Sequence, residues 1–193
     1  DAFLLTRDTR KSPSGEDIVL WCVDENAHPV RIVVTAQRSV FFVPTCNSSA
    51  ARDCLASATL TCQWRNLELV DFKHQAVTGF YFSSSATLRA ASRVLGDRQI
   101  EHWESDIRLE DRFLMERFLR GGVRIEGDGV IRDGYLDFHN PRLTPSSLEP
   151  RFRILSFDIE CSLDGDLFCF ALYGPGLELV LMIGAPQATS TPV

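Results

Sequence analysis

The segment "RFRILSFDIECSLDGDLFCFALYG", residues 151–174, decides how this chain is interpreted. Apolar and aromatic residues dominate it, yet two carboxylates, Asp158 and Glu160, stand two positions apart inside the apolar run. Runs of this composition, separated by Gly-containing turns, predict strands, and a third strand follows over "LELVLMIG", residues 177–184. Alternate residues of a strand face the same side, so the two acids project together, with α-carbons roughly 7 Å apart.

Paired carboxylates on a rigid strand are suited to binding divalent cations. Like charges this close repel each other unless a cation neutralises them, and oxygen-only ligands suit Mg²⁺ or Mn²⁺. One carboxylate can bridge two ions about 3.5–4 Å apart while the other holds a single ion, as in phosphodiester hydrolysis. The alternative is an edge strand whose outward face is acidic, and the D-x-E pattern alone favours it. The apolar flanks and the following meander favour instead the start of a ribonuclease-H-like nuclease sheet.

Composition and charge limit the classes of protein to which the chain can belong. The chain has 193 residues, 45% of them hydrophobic and 24% charged, with a formal net charge of −6. It has no apolar run long enough to span a membrane and no strong basic patch, which argues against gripping nucleic acid through phosphate neutralisation alone. The six cysteines form no CxxC pair and no zinc-like cluster, so we expect most of them to be small apolar core residues in a reducing cytosol.

The first half of the chain is predicted to be β-rich. Four short runs, "AFLLTR", "DIVLWCVD", "VRIVV" and "SVFFVP", are separated by turn-prone residues and predict a small meander or an open, OB-like barrel. Asn47 or Ser48 is the expected N-cap of a short helix formed by the Ala-rich residues that follow. The following order of strand, strand, helix, strand and helix predicts a small α+β unit with a half-exposed sheet. The segments concerned are 65–72, 76–82, 84–97, 99–105 and 109–120.

Two boundaries follow this unit: the end of its last predicted helix, and a domain boundary in the proline-rich segment beyond it. Helix 109–120 should be stopped by Gly121-Gly122 and should bury Phe113, Leu114 and Phe118. Three prolines, Pro141, Pro145 and Pro150, predict irregular structure and a domain boundary. We therefore divide the chain into residues 1–145 and 146–193.

The segment around the two acids also resembles a known motif. "LSFDIECSLDGDLFCFALYG" is similar to the first exonuclease motif of family B DNA polymerases, whose core is F-D-I-E. Upstream, "DIRLEDRFLMERFLRGGVRIEGD" resembles the segment before that domain. The start of the chain, "FLLTRDTR", with "LWCVDENAHPVRIVV" and "FFVP", resembles the N-terminus of the bacterial DNA polymerase II type. Together these segments cover nearly the whole chain in the right order.

The resemblance implies a fold and an activity. It implies an α+β, β-rich chain with an OB-like and RNA-recognition-like N-terminal domain, followed by the first strands of a ribonuclease-H-like 3′→5′ exonuclease domain. Asp158 and Glu160 would be the first-motif ligands of a two-metal site for Mg²⁺ or Mn²⁺. The remaining ligands and the polymerase aspartates would lie beyond residue 193, so the 193 residues alone should be inactive.

The resemblance also implies partners and a compartment. The parent enzyme would extend primers on a DNA template by two-metal nucleotidyl transfer and remove mispaired 3′ ends. Its partners would be primer–template DNA, single-stranded template and deoxynucleotides, with a sliding clamp as a further candidate. The expected location is the bacterial cytoplasm, associated with the nucleoid and without a membrane.

One segment of the N-terminal part suggests contact with single-stranded nucleic acid. "DFKHQAVTGFYF", residues 71–82, combines Lys73 and His74 with Phe72 and Tyr81, a mixture that can meet phosphates and stack bases. The alternative is that the phenylalanines at 80 and 82 form a core face, with Tyr81 opposite them. Two rival functions stay open: a stand-alone ribonuclease-H-like nuclease, and a non-catalytic single-strand-binding module.

Overall fold

The computed structural model describes residues 1–185. It is rich in strands and contains three α-helices in this part of the chain. The strands are β1 (Ala2–Ser12), β2 (Gly15–Asp24), β3 (Pro29–Gln37), β4 (Ser39–Pro44), β5 (Gln63–Val70), β6 (Ala76–Phe82), β7 (Gly122–Glu126), β8 (Gly129–Arg132), β9 (Tyr135–His139), β10 (Arg142–Pro145), β11 (Ser156–Cys161), β12 (Leu167–Gly174) and β13 (Leu177–Met182). The helices are α1 (Ser48–Ser57), α2 (Ser85–Asp97) and α3 (Leu109–Glu116).

The chain divides into two compact units. The first is Asp1–Pro150, and the second begins at Arg151 and contains β11, β12 and β13. The second predicted domain, residues 146–193, extends past the described residues. Within residues 1–185, no helix is long and apolar enough to cross a membrane.

A seven-stranded sheet forms the larger part of the first unit. Its strand order is β10-β7-β1-β2-β3-β9-β8, and every neighbouring pair is antiparallel except β3 and β9, which are parallel. Alternate residues of its strands enter one hydrophobic core together with α3. The buried members of this core include Ile18, Leu20, Cys22, Ile32, Phe113, Leu114, Val123 and Phe138. The sequence predicts an OB-like element of four strands. Three of them, β1, β2 and β3, form a meander in this open sheet, whereas the fourth, β4, pairs with β6 in a separate, smaller sheet, so its predicted place is wrong.

A smaller sheet is inserted between β3 and α3. Its order is β4-β6-β5, and α1 and α2 cover one face. The core between sheet and helices contains Phe41, Leu55, Phe80, Phe82, Leu88 and Leu95, all buried. Trp103 joins the free side of β4 through a single antiparallel bridge to Phe42. A βαββα chain path with a fourth segment beside the first strand is the RNA-recognition-like arrangement, so the predicted β-rich α+β fold class is confirmed.

Two predicted elements are shorter than expected. The strand predicted over 99–105 is reduced to the one bridge at Trp103, because Gln99 and Glu104 both take positive φ angles, 56° and 62°, which interrupt an extended chain. Helix α3 ends at Glu116, five residues before Gly121. Phe118, at φ 56°, turns the chain so that the Leu119 N–H reaches the Leu114 carbonyl at 2.9 Å. Phe118 is therefore 81% exposed, and its predicted burial is wrong.

The proline-rich segment is more regular than its composition predicts. Strand β10 ends at Pro145 and pairs antiparallel with β7, so the prediction of no regular structure over 140–150 is wrong there. The strand lies at the edge of the large sheet and, within the described residues, has a neighbouring strand on one side only. A proline is tolerated there because its missing N–H can face the side that has no strand to bond.

Candidate functional site

The two acids of the F-D-I-E segment lie on an edge strand. Strand β11 is the outer member of the antiparallel sheet β11-β12-β13. Asp158 stands opposite Ala171 and Glu160 opposite Cys169, so the two carboxylates share one face of the sheet. Directly after Glu160 the register shifts, and Cys161 pairs with Leu167. Irregularities of this kind are common beside active sites, where they redirect a side chain.

Both carboxylates are exposed and available. Asp158 Oδ1 accepts the N–H of Ile159 at 3.0 Å, and neither Asp158 nor Glu160 forms a salt bridge within the described chain. In residues 1–185, no group of three or more His, Cys, Asp or Glu side chains gathers into a metal-binding cluster. The oxygen donors fit a hard divalent cation, and they form part of a ligand set rather than a complete one.

The opposite face of the same sheet is apolar. Phe157 and Ile159, which alternate with the acids along β11, point to that face and are 56% and 48% exposed. The Phe157 ring lies 6.1 Å from the ring of Phe170 on β12. The acids therefore occupy one side of a sheet whose other side is lined by hydrophobic residues.

Tyr81 lies on the open face of the three-stranded sheet. Phe80 and Phe82 are fully buried against the helices, so Tyr81, between them, points away from the core. The Arg65 Nε donates to Tyr81 Oη at 3.0 Å, and the guanidinium lies 4.9 Å from the centre of the Tyr81 ring. An aromatic ring with an attached cation is a suitable platform for a base and its phosphate.

The other three predicted nucleic-acid-binding residues lie at the β5–β6 turn. Asp71 Oδ1 accepts the N–H groups of Lys73 and Gln75, both at 2.8 Å, and His74 takes a φ of 60°. This geometry fixes the turn and leaves Phe72 fully exposed at its tip. Tyr81 lies at the far end of β6, so the structure does not bring the four residues together.

The outer face of the large sheet carries a charged cluster centred on Asp137. The Asp137 side chain is fully buried and accepts two hydrogen bonds from Arg31, from Nε at 2.9 Å and from Nη2 at 2.7 Å. Arg132 Nε and His139 Nε2 each lie 3.3 Å from Asp137 Oδ2, and both side chains are 56% exposed. Hydrogen bonding from Arg31 holds the pKa of Asp137 below its usual range, and Coulombic attraction to Arg31 acts in the same direction.

Aromatic rings adjoin this cluster. The Arg31 guanidinium lies 5.0 Å from the centre of the Tyr135 ring, and Trp21 meets that ring edge-on at 5.2 Å. Two guanidinium groups surround one carboxylate, so the surface has a surplus of positive charge. Sequence reasoning missed this site because its members come from four strands. The alternation of Tyr135, Asp137 and His139 with the apolar Leu136 and Phe138 was the available signal.

Three comparisons with known proteins bear on this geometry. A family model described as the DNA polymerase II insertion domain matches residues 39–100, which contain the three-stranded sheet and its two helices. DNA polymerase II of Escherichia coli (strain K12) is 32% identical over 183 residues, which are 94% of this chain and 23% of that protein. The chain therefore spans about a quarter of the length of that curated relative.

A solved structure supports the fold. The structure of the family B DNA polymerase from the hyperthermophilic archaeon Pyrobaculum calidifontis superimposes with a TM-score of 0.70 at 18% identity. The match covers 94% of this chain and 26% of that one. At this identity the similarity concerns the fold alone.

Proposed function

The chain is of the family B, DNA polymerase II type, and from that premise we propose that it is the N-terminal part of a DNA-directed DNA polymerase with a 3′→5′ proofreading exonuclease. The parent enzyme extends a primer on a DNA template and removes mispaired 3′ ends at a second site. The similarity over 94% of the chain supports the polymerase parent. We place that parent in the cytoplasm, with primer–template DNA, deoxynucleotides and a sliding clamp as its partners.

The exonuclease assignment depends on one observation above all. Asp158 and Glu160 are exposed, share a face of an edge strand and form no salt bridge in the described residues. Two like charges held this close by a rigid backbone are suited to a shared divalent counter-ion. The register shift directly after Glu160 supports the same assignment, since it re-aims side chains at the end of the strand.

The resemblance to the F-D-I-E motif implies the roles of the two acids. Asp158 and Glu160 would hold Mg²⁺ or Mn²⁺, which would supply Lewis-acid chemistry for activating a water and stabilising negative charge on a leaving oxygen. Asp158 is proposed to hold both ions and Glu160 one of them, while the sheet fixes the distance between the two carboxylates. The remaining ligands must come from other parts of the parent polypeptide, so we propose that the 193 residues alone are inactive.

We also propose two surfaces for the single-stranded template. One is the cluster of Arg31, Arg132 and His139, whose cations exceed the single carboxylate at Asp137. The other is Tyr81 with its attached Arg65 on the open face of the small sheet. Cations next to aromatic rings suit a strand that must be held without sequence preference.

The turn at Phe72, Lys73 and His74 was predicted from the sequence to contact nucleic acid as well. Carboxylates at Asp71, Glu101 and Glu104 line the same cleft as Phe72 and disfavour phosphates there. Nucleic-acid binding by these three residues stays a prediction, and we do not extend the template proposal to the turn.

The exonuclease proposal is tested on the full-length parent protein. A 5′-labelled primer with a mispaired 3′ end is annealed to template and followed in Mg²⁺, with and without deoxynucleotides. Asp158→Ala and Glu160→Ala should each slow trimming by at least a hundredfold while extension of a matched primer continues. The matched control is Glu178→Ala, since Glu178 is an exposed carboxylate on the same face of the sheet, two strands away. Normal trimming in both variants would overturn the assignment.

A further inference from the structure

An apolar cleft opens beside the three-stranded sheet, on the face that the helices leave free. Its volume is about 370 Å³, within the range of sites that hold ligands. Its apolar lining comes from β4, β5, β6, the β5–β6 turn and the segment after α2. These residues are Phe42, Leu69, Val70, Phe72, Val77 and Trp103.

The walls of the cleft are unusually exposed for apolar residues. Leu69 and Val70 are 57% and 59% exposed, and Phe72 is fully exposed at the tip of its turn. Val77, in contrast, is only 5% exposed. A contiguous apolar surface of this kind is characteristic of a protein-binding site rather than of scattered surface residues.

The rim of the cleft is acidic. Asp71, Glu101 and Glu104 line it, against one cation, Lys73. Among the described residues, Asp71 and Glu101 form no salt bridge, whereas Glu104 is bound by Arg112 at 2.7 Å. Carboxylates that form no salt bridge, here Asp71 and Glu101, attract a cationic occupant to an apolar floor and repel the phosphates of nucleic acid.

The cleft is held in place before anything binds. Phe42 and Trp103 exchange two backbone hydrogen bonds, at 3.1 and 2.8 Å, and the Arg112 guanidinium lies 5.1 Å from the centre of the Phe42 ring. The Asp71 carboxylate fixes the turn that carries Phe72. Such a surface loses little conformational entropy on binding, which favours affinity.

We propose that this cleft binds an extended segment of a partner protein, with one large apolar side chain in the cleft and a Lys or Arg beside it. The apolar side chain contacts Phe42, Phe72 and Trp103. The cation of the segment meets Asp71 and Glu101. This inference concerns a surface separate from the acids of β11 and does not depend on the proposed exonuclease.

The test uses the full-length protein and a phage-displayed library of random dodecapeptides, counter-selected on the Phe72→Ala variant. Phe72 is fully exposed, so this variant should fold normally, which its melting temperature checks. Enriched peptides should share one large apolar residue within two positions of Lys or Arg. The absence of peptides that depend on Phe72, or enriched peptides without a basic residue, would overturn the proposal.

The consensus peptide from that selection is then titrated by fluorescence polarisation. Phe72→Ala should weaken binding at least tenfold, and Glu101→Gln about threefold. The control, Ile131→Ala, removes a side chain that is 85% exposed but lies outside the cleft, and should leave affinity unchanged. Equal losses in Ile131→Ala, or displacement of the peptide by a dodecathymidylate, would show that the cleft is not a peptide site.

Discussion

Arg31 and Asp137 are joined by two parallel hydrogen bonds, Nε to Oδ1 at 2.9 Å and Nη2 to Oδ2 at 2.7 Å, across the one parallel strand pair of the seven-stranded sheet. The Asp137 side chain is fully buried, whereas Arg31 is 23% exposed. A carboxylate this enclosed depends on its partners, since the cost of removing it from water is large.

Replacing this carboxylate should therefore destabilise the fold. Asp137→Asn leaves Arg31 without its anion, and we expect a loss of about 3 kcal/mol in the free energy of unfolding. Urea titration followed by circular dichroism measures it. The matched control is Asp133→Asn, because Asp133 is an exposed carboxylate in the neighbouring turn and should cost less than about 0.5 kcal/mol. Similar losses in both variants would contradict the role given to the buried pair.

The same carboxylate should produce an acid-sensitive contribution to stability. The folded pKa of Asp137 is depressed by Arg31, so its contribution is fully present above the unfolded value of about 3.9 and is lost as the pH falls through the folded pKa. Unfolding free energies measured between pH 6 and about pH 2 should fall more steeply for the wild type than for Asp137→Asn. Parallel curves would show that the pair contributes no pH dependence.

A second buried carboxylate connects the large sheet to the inserted unit. Glu16 is only 5% exposed, and its Oε2 accepts hydrogen bonds from the Ser85 backbone N–H at 2.9 Å and from Ser85 Oγ at 2.7 Å. Ser85 begins α2, where a negative charge is favoured. Glu16→Ala should lower the free energy of unfolding by about 2 kcal/mol. Glu25→Ala, which changes an exposed carboxylate, should leave it nearly unchanged. Thermal and urea unfolding measure both variants. Equal losses would contradict the stabilising role given to the Glu16–Ser85 hydrogen bonds.

Neighbouring aromatic residues on β6 should respond very differently to truncation. Phe80 is fully buried and stacks on Phe41 at 5.8 Å, so Phe80→Ala should cost about 3–5 kcal/mol. Tyr81 points to the open face, and Tyr81→Ala should cost about 1 kcal/mol or less. Its effect should appear instead as weaker binding of single-stranded DNA, measured by polarisation. Comparable stability losses would show that Tyr81 belongs to the core.

Cysteine reactivity provides an independent check on burial. Cys22 is 1% exposed, and burial raises the pKa of its thiol to about 12, whereas Cys46 and Cys161 are exposed. Because the thiolate is the reacting form, maleimide at pH 8 should modify Cys46 and Cys161 within minutes and Cys22 only after unfolding. Mass spectrometry of peptides from a timed reaction measures this. Rapid labelling of native Cys22 would contradict its position in the core.

Local patterns in the sequence predicted the elements that depend on local chemistry. Strand β6 occurs over Ala76–Phe82 as predicted, with Phe80 and Phe82 inward and Tyr81 outward, because the alternation of side chains is a property of the strand itself. The shared face of Asp158 and Glu160 follows from the same rule. Their roles as metal ligands remain a proposal.

Features that depend on distant segments could not be predicted in this way. The pairing of β3 with β9 brings Arg31 to Asp137 from 106 positions away, and no local pattern encodes such a contact. The shortening of the strand near Trp103 depends on two residues with positive φ, which their identities do not reveal. Strand β10 forms despite Pro145 because β7 offers it an edge.

The long path between β3 and β9 also determines when the large sheet can be completed during synthesis. Strands β1, β2 and β3 form a local meander, and the inserted β4–α2 unit has its own core, so both can fold while the rest of the chain is still being made. Strand β3 then keeps an open edge until β9 leaves the ribosome. Closing such a distant pair is slow because the loop must be ordered first. The nascent chain therefore passes through a state in which one edge of the hydrophobic strand β3 has no hydrogen-bonding partner.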